Sequence, residues 1–335
     1  MIKKLPSVSF ITCTLNSQNT IKECLDSIVK LNYPKKLIEV LIIDGGSKDK
    51  TLSIVKKYSF CKIKMVKTDG PEEAMAIGYN AAHGEYVVNF PSDNIILKKD
   101  WLLQMLTPLM ENKNIIASET LHYSYVKKDK ILNRYFALFG MNDPVAFYLG
   151  KRDRAAYFED GWHLKTPAQE KGNYYIAQFK EKDLPTLGAN GFIIRKSIIQ
   201  KVTKNPKRFF HIDSCVDLVR MGYDTYAFVK TDVWHKTGEE LFNFIKKRKR
   251  YATILYFNKR KIRRYHLFNP KTDKLKLMLF IIYSFTFIEP IYQSIKGYRR
   301  IQDPAWFLHP VICFFTTIIY TYTVCLSTIK KNIAS

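Results

Sequence analysis

Asn16, Asp44, Asp69 and Asp93 each follow a short apolar run within the first hundred residues. Side-chain oxygens at such places can accept hydrogen bonds from a ribose or a base, and can ligate a hard cation that offsets phosphate charge. The clearest case is VLIIDGGSKDKT, residues 40–51, where Val40 to Ile43 run straight into Asp44 and then Gly45-Gly46-Ser47. Such a run reads as a buried parallel strand. The carboxylate then stands at the strand's C-terminal end, where open α/β sheets bind their ligands. The two glycines allow a tight turn and close approach of a ligand to the backbone. Asp44 either contacts a nucleoside or caps its own turn, and this segment alone leaves both readings open.

The neighbouring elements must position these groups. Val8 to Asn16 reads as a strand ending in small polar residues. Asn19-Thr20 then opens a helix with Ile21, Cys24, Leu25 and Ile28 on one face. Ile63 to Val66 predicts a third strand, ending at Asp69-Gly70-Pro71. A small-residue helix over Ala74 to Ala82 follows, and then a fourth strand over Glu85 to Phe90 that ends at Pro91-Ser92-Asp93-Asn94. Strands and helices in alternation, with short connections, predict an α/β fold with a doubly wound, mostly parallel sheet.

VSFITCTLNSQNTIKECLDSI, VLIIDGGSKDKT, DGPEEAMAIGYNAAHGEYV and NFPSDN, in this order and spacing, resemble the family 2 glycosyltransferases. The resemblance implies a GT-A fold and a nucleotide-sugar donor, UDP- or GDP-linked. It carries nucleotide-sugar binding over to Thr14, Asn16, Asp44, Asp69 and Asp93. The family's metal motif of two aspartates one residue apart falls on Pro91-Ser92-Asp93, where only the second is present. The implied cofactor is Mg²⁺ or Mn²⁺, with Asp93 as its ligand. Asn94 can add an amide oxygen, and His235, in Val233-Trp234-His235-Lys236, matches a histidine that touches metal or diphosphate in some members. TLGANGFIIRKSII resembles the family's acceptor-side turn and places Asn190 and Gly191 at the acceptor. HIDSCVDLVRMGY resembles the helix bearing the catalytic base, which falls on Asp213. Asp217 lies one turn further on the same face and reads as structural.

Composition bounds the rest. The chain has 335 residues and a net charge of +24, from 54 basic and 30 acidic residues. Six cysteines are scattered with no CxxC, as in a reduced compartment rather than a disulfide framework. MIKKLPSVSF enters the first strand directly, so no signal peptide is expected.

Basic residues crowd Phe244 to Arg264: Lys246, Lys247, Arg248, Lys249, Arg250, Lys259, Arg260, Lys261, Arg263 and Arg264, with Tyr251, Tyr256 and Phe257 among them. Apolar segments follow at Leu277 to Ile288, interrupted by Glu289-Pro290, and at Ala305 to Ile329. The second is long enough to cross a bilayer, Trp306 and the tyrosines suit its interfaces, and the basic stripe suits anionic lipid. Nucleic acid is therefore not the expected partner. Helices carrying such a tail predict a cell-membrane protein with its catalytic domain facing the cytoplasm. Expected boundaries are a GT-A domain over 1–240 (nucleotide-sugar half 1–117, acceptor half 118–240), a basic juxtamembrane segment over 241–270 and a membrane-associated helical tail over 271–335. The stretch from Leu121 to Asp183 is expected to be an acceptor-side insertion with short helices, in which Asp143, Arg152, Arg154 and Trp162 are open to sugar or lipid-phosphate contact but are expected in surface and packing roles.

The expected activity is metal-assisted, inverting transfer of a sugar to a lipid-linked glycan or glycolipid. Two alternatives stand beside it: a polyprenyl-phosphate sugar synthase, which needs no general base, and a non-catalytic member with a degenerate metal motif.

Overall fold

The computed structural model describes residues 4–237, 240–253 and 262–334. Tyr256, Phe257, Lys259, Arg260 and Lys261 of the basic stripe lie outside the described residues.

The strands are β1 (Val8–Thr14), β2 (Ile38–Asp44), β3 (Cys61–Met65), β4 (Tyr86–Asn89), β5 (Asn94–Ile95), β6 (Ala117–Tyr123), β7 (Ala168–Lys171), β8 (Tyr174–Gln178), β9 (Phe192–Arg195) and β10 (Thr225–His235). The helices are α1 (Ile21–Val29), α2 (Thr51–Val55), α3 (Pro71–Ala81), α4 (Trp101–Glu111), α5 (Ile131–Phe139), α6 (Pro144–Leu149), α7 (Lys196–Ile199), α8 (His211–Arg220), α9 (Leu241–Tyr251), α10 (Lys274–Thr286), α11 (Ile288–Arg300) and α12 (Leu308–Ala334).

Two compact units divide the chain. One comprises 1–124 with 165–236, the other 125–164 with 237–335. Of the stretch from Leu121 to Asp183, expected as an acceptor-side insertion, residues 125–164 group with the C-terminal helices and the rest with the first unit.

The first unit holds one sheet in the order β3-β2-β1-β4-β9-β6-β10-β8-β7, with β5 paired to β10. β1, β2, β3 and β4 pair in parallel, as the apolar runs predict. β9 runs antiparallel to both β4 and β6, and β8 runs antiparallel to β10, so the whole sheet is mixed. β1 is apolar and buried along nearly its whole length because it is central and covered on both faces. β3 is one of the edge strands, and its Lys62 and Lys64 are exposed, charges that oppose pairing with another chain. Gly78 lets α3 press onto the sheet: a Cβ there would stand 2.3 Å from Ile11 Cγ2.

The second unit is helical. Tyr135, Phe136, Phe139, Phe158, Trp306 and Ile312 form its main core. Trp306, expected at a membrane interface, is instead fully buried, and its indole N–H donates to the Ile301 carbonyl at 3.0 Å. The bulky ring finds room over Gly297, where a Cβ would come within 2.4 Å of it. Asp143, Arg152 and Arg154 serve the packing. Asp143 caps α6 through the Val145 N–H at 2.9 Å, Arg152 pairs with Glu159, and Arg154 is fully buried against Asp153 at 3.2 Å. α10 and α11 bend by 81° at Phe287, whose φ is +61°. Glu289, costly in an apolar setting if left alone, bonds the Tyr148 hydroxyl and accepts from Gln293 at 2.7 Å. Pro304–Leu326 is long and apolar enough to cross a membrane, with 44% of its most apolar window buried inside the protein.

Candidate functional site

The loops after β1 and β2 are laced together. Thr14 ends β1 in register with Asp44 at the end of β2. Its hydroxyl donates to Asp44 Oδ2 at 2.8 Å, and the Ser47 hydroxyl donates to the same oxygen at 2.6 Å. Asp44 Oδ1 accepts from the Gly46 and Ser47 N–H groups at 2.9 and 2.8 Å. A carboxylate has about four acceptor sites, so Asp44 is saturated from within, and it is fully buried. Turn capping, one of the two readings open from the sequence, is therefore realised. Burial pushes the Asp44 carboxyl up, but the bonds from Ser47, Thr14 and Gly46 outweigh it and hold the group below its ordinary value. It is thus a fixed anion that shapes the loop.

Asn16 is exposed beside it, with φ at +53°. Its N–H donates to the Ser47 hydroxyl at 2.9 Å, and its amide oxygen accepts from the Lys48 N–H at 2.9 Å. A left-handed asparagine is the kind of backbone outlier that clusters at ligand sites. Asp69 lies at the same edge, exposed, with its N–H donating to Glu73 at 3.1 Å.

A second cluster forms where β5 meets β10. The register sets His235 against Asn94, and His235 Nε2 lies 3.4 Å from Asp93 Oδ2. The Asn94 amide N–H₂ donates to Asn190 Oδ1 at 3.1 Å and to Asp93 Oδ1 at 3.3 Å. Asn190 in turn donates to the Tyr123 hydroxyl at 3.1 Å, and its φ is +47°. Gly191 is pinned by its N–H to the Asn89 carbonyl at 2.7 Å. The structure thus brings together Asp93, His235, Asn94, Asn190 and Gly191, which the sequence scatters.

Asn94 Oδ1 and His235 Nδ1 are buried with no hydrogen-bond partner. Unsatisfied polar atoms in such a place ask for a ligand or an ion. Among the described residues no three His, Cys, Asp or Glu side chains gather as a metal site. A carboxylate and an imidazole still suit an Mn²⁺-type ion that takes its other ligands from phosphate and water. The donor set therefore fits the implied cation.

Asp213 is fully buried in the first turn of α8. Direct contact with an acceptor would need that helix start to open. Arg220, at the end of the same helix, forks onto Glu181 at 2.6 and 2.8 Å. Sequence reasoning passed over His211, the first residue of α8. Its Nδ1 lies 2.7 Å from Glu72 Oε1, and its backbone N–H donates to Glu72 Oε2 at 2.8 Å. The only signal for this pair was the acidic PEE start of α3, which sequence spacing does not link to a histidine so far along the chain.

The sheet is parallel in its N-terminal half and gathers polar and acidic groups along its C-terminal strand ends, an arrangement of the GT-A kind. Residues 9–203 match the family described as glycosyl transferase family 2, and the chain belongs to that family. A solved mannosyltransferase from Pyrobaculum calidifontis, PcManGT, in complex with GDP-Man and Mn²⁺, shares the fold. Its TM-score is 0.54 at 14% identity, over 96% of this chain and 88% of that one. Among curated relatives, the poly(ribitol-phosphate) β-N-acetylglucosaminyltransferase TarS of Staphylococcus aureus is 36% identical over 96 residues, 27% of this chain and 17% of TarS. A dolichyl N-acetyl-α-D-glucosaminyl phosphate 3-β-D-2,3-diacetamido-2,3-dideoxy-β-D-glucuronosyltransferase of Methanococcus voltae is 34% identical over 89 residues, 25% of this chain and 28% of that one. Glycosyltransferase GlyA of Streptococcus pneumoniae is 24% identical over 239 residues, 68% of this chain and 32% of GlyA. The matches to these three therefore span about a third of each relative or less.

Proposed function

We propose that this protein transfers a sugar from a UDP- or GDP-linked donor to a lipid-linked glycan or glycolipid at the cytoplasmic face of the cell membrane, with inversion at the anomeric carbon. The observation that carries the reading is the Asp93–His235 pair at the same sheet edge as the interlocked loops of Thr14, Asn16 and Asp44. The loop around Asp44 presents Asn16 and the backbone of Gly45-Gly46 to the nucleotide, with Asp69 beside it. Asp93 and His235 would hold Mg²⁺ or Mn²⁺. Such an ion, when bound, offsets the diphosphate charge and eases departure of the nucleoside diphosphate. Asn94 orients Asn190, and Asn190 with Gly191 lines the acceptor side. The sequence resemblance gives Asp213 the acceptor proton, a role its burial allows only if the start of α8 opens.

Membrane attachment is supported within the second unit. Leu275, Met278, Ile282, Phe285 and Ile288 expose their side chains along α10 and the start of α11, an apolar face suited to lipid. Arg263, Arg264, Lys271 and Lys274 precede or open this face, as juxtamembrane cations do.

The burial of Asp213 favours one second reading. If the acceptor is a polyprenyl phosphate, its oxygen is already ionised and no general base is required.

Incubating the detergent-solubilised protein with UDP-GlcNAc, UDP-glucose and GDP-mannose in Mn²⁺ tests the reading. Release of a nucleoside diphosphate from one donor, lost in Asp93→Ala, supports it. No release from any donor by folded protein contradicts it.

A further inference from the structure

We infer that His211, held by Glu72, takes the proton from the acceptor hydroxyl; this deepens the transferase reading above and rests on it. A general base must come within hydrogen-bond reach of the proton it removes. Asp213 is fully buried, whereas the His211 side chain, two residues earlier in the same first turn, keeps 31% of its surface exposed.

The pair is built to fix one ring orientation. Glu72 grips the backbone N–H of His211 with one oxygen and the ring Nδ1 with the other, at 2.8 and 2.7 Å. A carboxylate accepts but does not donate, so Nδ1 carries the proton in the neutral ring and Nε2 carries the lone pair. This is the arrangement by which a carboxylate prepares a histidine as a base and steadies the imidazolium that forms.

The location agrees. Glu72 lies in the first turn of α3, and the preceding Pro71 carbonyl accepts from the Cys13 thiol at 3.7 Å, next to Thr14. On the other side, Gly188 packs so closely that a Cβ there would stand 3.2 Å from the His211 carbonyl oxygen. Gly188 opens the turn that carries Asn190, which is bonded to Asn94 beside Asp93. His211 thus packs against the turn that carries Asn190, while its partner Glu72 opens the helix beside Cys13 of β1.

Other ionisable groups nearby are Cys13 on β1, Glu119 on β6, whose carboxylate accepts from the Gly188 N–H at 3.3 Å, and Asp213 and Asp217 on α8 itself. Burial and then the Glu72 charge push the Cys13 thiol up to about 12, so it stays neutral and does not compete for the proton.

The step balances without a further reagent. The acceptor oxygen bonds to the anomeric carbon as its proton passes to His211 Nε2. The bond from that carbon to the diphosphate oxygen breaks, and its electron pair leaves with the nucleoside diphosphate. Glu72 stays ionised throughout, and the imidazolium later returns its proton to water.

The test follows nucleoside diphosphate release from UDP-GlcNAc, UDP-glucose and GDP-mannose between about pH 5 and 8, the range in which histidine titrates. Wild type is compared with His211→Asn, Glu72→Gln and Asp213→Asn, and donor binding and thermal unfolding are measured for each. His211→Asn should keep donor affinity within about twofold and lose about 10²- to 10⁴-fold in turnover, together with the acidic limb of the profile. Glu72→Gln should move that limb to lower pH, because removing a carboxylate lowers a neighbouring histidine's pKa. Full turnover in His211→Asn, or loss of the limb in Asp213→Asn alone, overturns the proposal while leaving the transferase reading intact. A wild type that is folded but binds no donor, or binds without release, overturns both. If His211→Asn fails to fold, Glu72→Gln decides by the position of the limb.

Discussion

His235 Nε2 stands 3.4 Å from Asp93 Oδ2 because a ladder of only two residues, Trp234 with Ile95 and His235 with Asn94, fixes the end of β10 against β5. A slip of one residue would turn His235 to the opposite face. The same ladder buries Asn94, whose amide reaches Asn190 at 3.1 Å. The proposed cation side and acceptor side therefore share one local pairing.

Asn190 combines a left-handed backbone with two side-chain bonds, to Asn94 and Tyr123. Asn190→Ala removes both bonds and keeps a Cβ at positive φ. It should destabilise by about 1–3 kcal/mol. Asn190→Gly loses the bonds but relieves the backbone, and should recover about 1 kcal/mol of that loss. Urea unfolding measures both, and equal stabilities would show that the backbone geometry carries no cost.

Glu39 gives a pH signature remote from the site. Burial pushes its carboxyl up, but bonds from Ser9, Lys62 and His83 outweigh this and bring it down to about 2 from an ordinary 4.5. A depressed folded-state value means that the stabilisation is complete above the unfolded value and is lost as pH falls through the folded one. The stability advantage of wild type over Glu39→Gln should thus hold above about pH 4.5 and fade toward pH 2. An advantage that does not change with pH would contradict this.

Gly297 carries the packing of the helical unit. In Gly297→Ala the new methyl would lie 2.4 Å from the buried Trp306 ring. Overpacking of this kind costs about 1–3 kcal/mol, so thermal unfolding in detergent should shift clearly downward. An unchanged midpoint would mean that the indole is free to move aside.

The exposed face of α10 and α11 should bind lipid through apolar contact. Ile282→Asp with Phe285→Asp should release the full-length protein from phosphatidylcholine vesicles in a flotation assay. Adding phosphatidylglycerol should strengthen wild-type binding in a salt-sensitive way. Retention of the double variant on neutral vesicles would move the attachment elsewhere in the chain.

Much of the first unit was legible because its signals are local. Apolar runs ending at Asn16, Asp44 and Asp93 read directly as β1, β2 and β4 with their loops, and Gly188 to Gly191 as the turn before β9. The antiparallel pairings of β9 were not legible, since a four-residue apolar strand carries no sign of its direction. Trp306 was read as an interface residue from its type alone. Its burial depends on Gly297, a helix away, which no periodicity reveals. Asp213 drew attention as a carboxylate at a helix start, but its depth and the Glu72–His211 pairing arise from tertiary contact. Asp44 was open between two roles, and the Thr14 and Ser47 hydroxyls show the capping one, of which the Thr14 bond comes from a distant strand.

The proposed activity turns on a cation-dependent nucleotide site built on Asp93 and His235. Calorimetric titration of the solubilised protein with UDP and with GDP, with and without Mn²⁺, tests it most directly. Binding of one nucleotide that strengthens with Mn²⁺, and loses about tenfold or more of that gain in Asp93→Ala and in His235→Ala, is the predicted result. Binding that ignores both the metal and these substitutions, or no binding by folded protein, would rule such a site out.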